Sequence, residues 1–255
     1  MSIWHIVGNG PGKLIIVDNE RIIRFNQPAS FKPGTDVTIT NSKQAGLKRG
    51  FLVQGEVPEQ FIEKLDTNSR KLEEALGCKP SLGLLAIQTM LGYQVDVRVS
   101  CMALLPSLER TPDHSNKKAL PAAYHNWLGE RRLALSWKDK VDWPELLLQS
   151  QRPSKSCAMA SQDCFHLLQQ LPSLSRKEAS YLWEDLSKVG YHTWLDQANY
   201  ENIQAIEPLF YASRDSQFSP NWWMYDNQAS LYVNRLQKIL ASVQQTYLLS
   251  LTEKA

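Results

Sequence analysis

Several familiar signals are missing from this chain. Four cysteines, Cys78, Cys101, Cys157 and Cys164, are spread over 255 residues with no Cys-x-x-Cys spacing. That excludes the usual zinc and dithiol patterns and a disulfide scaffold. The four read as buried thiols in a reducing compartment. No segment stays apolar over the roughly 18 or more residues that a membrane span needs. The most apolar stretch, Leu82 to Pro106, is broken by Gln88, Gln94, Asp96 and Arg98 and reads as core. The amino terminus, MSIWHIVGNG, has no basic segment followed by an apolar run, so no signal peptide is expected and the protein is placed in the cytoplasm. Charge of one sign is lacking too. With 28 Lys plus Arg against 26 Asp plus Glu, the net charge of +2 gives no argument for a nucleic-acid partner.

What is present is an ordinary folded composition, 43% hydrophobic and 21% charged, which excludes disorder. The charge is uneven along the chain. Residues 1–140 carry 19 basic and 14 acidic side chains, net +5, and residues 141–255 carry 9 and 12, net −3. An anionic ligand therefore belongs on the first part, unless the unevenness is chance. Ile3 to Val7 is a short apolar run ending in glycines and a proline, the pattern of a buried strand feeding a tight loop. Leu14 to Val17, Arg21 to Asn26, Val37 to Thr40 and Gly50 to Gln54 are further strand candidates. Phe61, Leu65, Leu72 and Leu76 stand at helical spacing within residues 58–76, and Gly83 to Leu91 is a helix apolar nearly all round. Val95, Val97, Val99 and Cys101 alternate with polar residues as a strand does.

After Trp137 helices dominate: Cys157 to Leu171, Arg176 to Val189 and Leu231 to Leu251. The last places Leu231, Leu236, Ile239, Leu240, Val243 and Tyr247 on one face, to dock on its own protein or else on a membrane or partner protein. The aromatics around Trp222 to Tyr225 are core, or the wall of an acceptor groove. The whole reads as α/β, a Rossmann-like, mainly parallel sheet in residues 1–137 with a mainly helical region in 138–255.

The loop Gly8-Asn9-Gly10-Pro11-Gly12-Lys13 invites two phosphate-loop readings and satisfies neither. Three residues instead of four separate Gly8 from the Gly-Lys pair, with Leu14 following, and Lys13 stands where a dinucleotide fingerprint needs its third glycine. A Gly-rich turn whose backbone N–H groups approach a phosphate, or a plain tight turn, is what remains.

Three further segments stand behind it in order. The string VGNGPG, then IIVDNERIIRFN, then KPSLGLLAI at residues 79–87, then HNWLGE at 125–130 resembles the sialylmotif series of the sialyltransferases, glycosyltransferase family twenty-nine. Val7 to Asn26 resembles the large motif, Pro80 to Gly83 the small motif, and His125 with Glu130 the very small motif. The resemblance implies a GT-A-variant-like fold and a CMP-sugar donor, with no cofactor and no metal. The sequence likewise contains no Asp-x-Asp. It implies that Gly8, Asn9, Gly10 and Asn26 hold the nucleotide and that Ser81 and Gly83 present a helix start to the phosphate. Lys79 would add a positive charge and His114 a phosphate contact. His125 is the implied catalytic base, since neutral imidazole takes a proton near pH 7, and Glu130 a supporting residue.

The chain also departs from that family. Leu82 replaces the usual Thr, Gly12 replaces a Ser, the membrane anchor of animal members is not found, and the large-motif region holds no Cys. The expectation is a bacterial-type inverting enzyme moving a sialic acid or a related keto-sugar acid such as Kdo onto a glycan. The rivals are a catalytically weak nucleotide-binding protein and a pterin pyrophosphokinase-like enzyme.

Overall fold

A computed structural model of the chain describes residues 3–26, 36–43, 45–48, 50–108, 119–149, 162–213 and 221–253. Two compact units emerge, interleaved in sequence, where a single cut at residue 137 was expected. The first comprises Met1–Ala103 and Ser136–Leu147, the second Leu104–Leu135 and Leu148–Ala255.

The first unit is built on six strands, β1 (Trp4–Val7), β2 (Arg21–Phe25), β3 (Asp36–Asn41), β4 (Phe51–Gln54), β5 (Val97–Ser100) and β6 (Val141–Asp142), in the order β4-β3-β2-β1-β5-β6. All neighbours pair parallel except β3 with β4. The unit is thus α/β with a mostly parallel sheet of Rossmann-like order. Two helices separate β4 from β5, α1 (Phe61–Leu76) and α2 (Leu82–Leu91). On α1 the four apolar residues singled out by spacing are the buried ones. α2 is buried almost all round, as its uninterrupted apolar composition requires.

Alternation sets the two faces of the sheet apart. Ile6, Ile23, Phe25, Val37, Ile39, Val97 and Val99 form an apolar face, on which α2 lies, with its Gly83 against Phe25. The opposite face carries His5, Arg24, Asp36, Thr38, Thr40, Arg98 and Ser100, and most of these are buried as well. Among these buried polar groups Arg24 Nε lies 3.3 Å from Asp36 Oδ2, whereas the Thr38 and Thr40 hydroxyls have no hydrogen-bond partner among the described residues.

Leu14 to Val17 is not a strand. All four residues are exposed, at 36% for Leu14 and 50% for each of the other three. β1 and β2 are parallel, so the chain must return the length of a strand between them. This segment is spent on that return.

The second unit contains α3 (Trp127–Leu135), α4 (Cys164–Gln170), α5 (Arg176–Leu186), α6 (Tyr191–Asp196), α7 (Tyr200–Ala205) and α8 (Ala229–Thr252), so eight helices occur among the described residues of the chain. α4 starts at Cys164, where Asp163 accepts a cap from His166 N, and Cys157 lies outside the described residues. α5 opens with a Ser175/Glu178 capping box. Trp183 packs 5.3 Å from Trp223 and 5.7 Å from Phe210, ring centre to ring centre. Trp223 donates its Nε1–H to Leu209 O at 2.6 Å, so the Trp222 to Tyr225 cluster is core. The face expected on the last helix is turned inward at Leu236, Leu240 and Val243, but Leu231 is exposed. No described helix is long and apolar enough to cross a membrane.

The exposed return segment yields a contrast measurable by denaturant unfolding. Ile16→Ser is expected to change stability by no more than about 0.5 kcal/mol. Ile23→Ala, on the buried face, is expected to cost about 2–5 kcal/mol.

Candidate functional site

β1, β2 and β5 run parallel, so Gly8, Asn26 and Cys101, which follow them, all stand at the carboxyl edge of the sheet. β2 and β5 flank β1 on opposite sides, which makes this edge the topological switch point where open α/β sheets bind ligands. α2 runs back toward the start of β5, so its amino terminus lies at the same edge. Ser81 caps it, accepting from Leu84 N at 3.2 Å.

The glycine loop lies flat against the backbone that leaves β5. Gly8 N donates to Ser100 O at 2.9 Å and Gly10 N to Cys101 O at 3.0 Å. A Cβ on Gly8 would run into the Cys101 carbonyl oxygen, and one on Gly12 would come to 2.9 Å from Cys101 Cα. Cys101 turns away from the sheet with φ 55°, held by its N–H donated to Glu145 Oε1 at 3.1 Å. Met102 fills the space beside both Gly8 and Gly83. Hence the glycine loop and the start of α2 meet across one side chain. Asn26 adopts φ 61° and accepts from Asn41 Nδ2 at 3.3 Å. Asn9, Gly10 and Lys79 are exposed.

His125 and Glu130 belong to the second unit. His125 closes the turn Pro121–Tyr124, its ring centre 5.0 Å from that of Trp127 and its side chain 31% exposed. Its Nδ1 lies 3.9 Å from Oε1 of the buried Glu130. The rest of the HNWLGE string explains the local fold. Asn126 Oδ1 accepts from Gly129 N at 2.9 Å, as a helix cap does, and Asn126 Nδ2 donates to Glu207 Oε2 at 3.2 Å. Arg132 donates from Nε and Nη2 to the two carboxylate oxygens of Glu207, at 2.7 and 3.2 Å. Gly129 leaves room for this pair, because a Cβ there would sit 2.5 Å from Asn126 Nδ2. The structure thus gathers Gly8, Asn9, Gly10, Asn26, Ser81 and Gly83 at one edge of the first unit, and His125 with Glu130 in the second. His114 lies outside the described residues.

Sequence reasoning missed one cluster. His5 has no motif around it, yet it is fully buried in β1 and bonded at both ring nitrogens. Glu20 is an acceptor only, so His5 Nδ1–H donates to Glu20 Oε2 at 2.9 Å and Nε2 accepts from Ser100 Oγ–H at 2.8 Å. Glu20 also accepts from Val17 N at 3.2 Å and from Arg98 Nη1 at 2.8 Å. Serine, histidine and carboxylate stand in the order of a nucleophilic triad. Ser100 is only 7% exposed, however, and the neighbouring N–H groups of Gly8 and Cys101 are committed to Ser100 O and Glu145 rather than to an oxyanion. The cluster is a buried clasp on β1, β5 and the return segment. In the sequence the cluster is marked only by a histidine set in an otherwise apolar strand.

Comparison of the chain with protein-family models, curated proteins and solved structures yields no match.

Burial pushes the His5 pKa below its usual 6.5, against the opposing pull of Glu20. Burial alone would raise the Glu20 carboxyl, but Arg98, the Val17 N–H and His5 outweigh it and hold the pKa below 4.5. For His5 the unfolded chain takes up a proton that the folded one refuses, so its contribution to stability is full above about pH 6.5 and is lost as pH falls below that value. The Glu20 contribution is lost only at lower pH, below its usual 4.5. Denaturant unfolding from pH 7.5 to 5 is expected to show falling stability, with a shallower slope in His5→Gln. Gly8→Ala is expected to cost about 1–3 kcal/mol in the same measurement at pH 7.5, because the obstacle is backbone.

Proposed function

We propose that the protein is an inverting, metal-independent glycosyltransferase of GT-A-variant architecture. It moves a sialic acid or a related keto-sugar acid such as Kdo from its CMP donor to a hydroxyl of a glycan acceptor. The observation that carries this reading is the convergence at one carboxyl edge of three separate motif segments: the Gly8 loop, Asn26 and the Ser81-capped start of α2. The free thiols of Cys101 and Cys164 support a reducing, cytoplasmic setting.

In this reading Asn9 and Asn26, short amides that donate and accept, hold the ribose and phosphate. The helix start at Ser81 and the Lys79 ammonium take up the negative charge that builds on the leaving cytidine monophosphate. His125 removes the proton from the acceptor hydroxyl as that oxygen attacks the anomeric carbon, and Glu130 steadies the imidazolium that forms. Bond formation and departure on opposite faces invert the centre.

Cytidine monophosphate release from CMP-sialic acid or CMP-Kdo, measured with a panel of glycan acceptors, tests the reading. His125→Ala is expected to lower kcat by about 10²–10⁴, and an unchanged rate removes His125 as the base. A second reading, a nucleotide-binding protein without turnover, is favoured by Leu82, which leaves the start of α2 without the hydroxyl of the usual Thr. Calorimetric binding of cytidine monophosphate with no product on any acceptor would select it.

A further inference from the structure

The first unit holds a concavity at the edge of the sheet opposite the motif segments. α2 spans ten residues, about 15 Å at 1.5 Å per residue. Its start lies at the carboxyl edge, so Leu91 and Gly92 at its end lie near the amino edge. Trp137 to Lys140 directly precede β6, which runs parallel to β5, so they stand at that amino edge as well. Between them and one stripe of α1 is a groove of about 610 Å³, within the range of small-molecule sites.

Its lining is chemically specific. Residues 60, 63, 64, 67, 68 and 71 of the α1 region recur at intervals of three and four and so form a single polar stripe into the groove. The opposite stripe of the same helix, Phe61, Leu65, Leu72 and Leu76, is buried in the core. Of the polar stripe, Asn68 and Lys64 also tie α1 to Thr89 and Tyr93, whereas Glu63, Thr67 and Lys71 are exposed. Gln60, Asn68 and Gln88 bring amides that donate and accept together. The base of the groove is ordered by Asn68 Nδ2 donating to Thr89 Oγ1 at 3.2 Å, while Thr89 Oγ1 donates to Leu85 O at 2.8 Å. Trp137 supplies an aromatic surface, half-buried. Charge is unbalanced, with Lys64, Lys71 and Lys140 against Glu63. Lys64 is placed over the Tyr93 ring, its Nζ 3.6 Å from the centre. Among the described residues Lys71 and Lys140 have no carboxylate partner.

We infer that this groove binds an anionic sugar. The C–H groups of a pyranose face are weakly positive and suit the negative π face of Trp137. Vicinal hydroxyls, each donor and acceptor, match the side-chain amides. A carboxylate or phosphate on the sugar pairs with Lys71 and Lys140. The site lies apart from the carboxyl edge and stands independently of the transferase reading.

Two probes separate the sources of such a ligand: a hyaluronan tetrasaccharide for an acidic glycan, and glucose 6-phosphate for a sugar phosphate. Maltose is the neutral control. Titrations of the full chain followed by tryptophan fluorescence and calorimetry are expected to show saturable binding of at least one anionic probe, at least tenfold tighter than maltose and unaffected by excess cytidine monophosphate. Trp137→Ala is expected to abolish it and the exposed pair Lys71→Ala/Lys140→Ala to weaken it at least tenfold. That double variant removes no core group, so it reports even if Trp137→Ala does not fold. Binding of neither probe, equal binding of maltose, displacement by cytidine monophosphate, or full affinity in Lys71→Ala/Lys140→Ala overturns the assignment.

Discussion

The first unit depends on one buried carboxylate. A parallel sheet has no hairpins to fix its order, and the connection from β1 to β2 contains no helix to pack the return. Glu20 supplies the missing constraint. Placed just before β2, it holds its own return segment through Val17 N, β1 through His5 and β5 through Arg98. Ser100 closes the clasp on the other side of His5. Residues 5, 17, 20, 98 and 100 are thereby joined in one network. Buried ionic groups of this kind are costly to leave half-paired, which makes the arrangement close to all-or-none.

Five of the six expected strands and the helices α1, α2, α5 and α8 were legible in the sequence, while α3, α6 and α7 were not, and the contrast between α1 and Leu14 to Val17 shows the physical reason. Phe61, Leu65, Leu72 and Leu76 repeat at a spacing that only a helix turns to one side, and all four are buried. Leu14 to Val17 repeats nothing. Four apolar residues in a row describe a buried strand and an exposed return equally well, and only the parallel pairing of β1 with β2 decides between them. Pairing is a long-range fact absent from local pattern. The His5 clasp was hidden for the same reason, its partners lying 15 and 95 residues away.

At the candidate site the motif segments were visible and their division of labour was not. A glycine is read as room for a ligand because it permits close approach, but backbone approaches as closely as phosphate does. Gly8 and Gly12 are crowded by the Cys101 backbone, Gly83 by Met102 and Gly129 by Asn126 and Glu207. Each of these glycines therefore has a packing reason that holds whether or not a ligand binds. Asn9 and Asn26 differ: Asn9 is exposed, and Asn26, at φ 61°, accepts from Asn41 Nδ2.

The interleaving of the two units bears on how the protein comes off the ribosome. β6 is drawn from residues 141–142, after α3 has already been made for the other unit. Until those residues emerge, β5 is an open sheet edge and Cys101 and Met102 lack the Glu145 and Trp143 that hold them. Synthesis therefore passes through a stage at which the first sheet is nearly whole yet unsealed, while part of the second unit hangs from it without the remainder of its core. For a nascent chain that is the interval of greatest exposure to mispairing, and it closes only when the segment around β6 returns to the sheet.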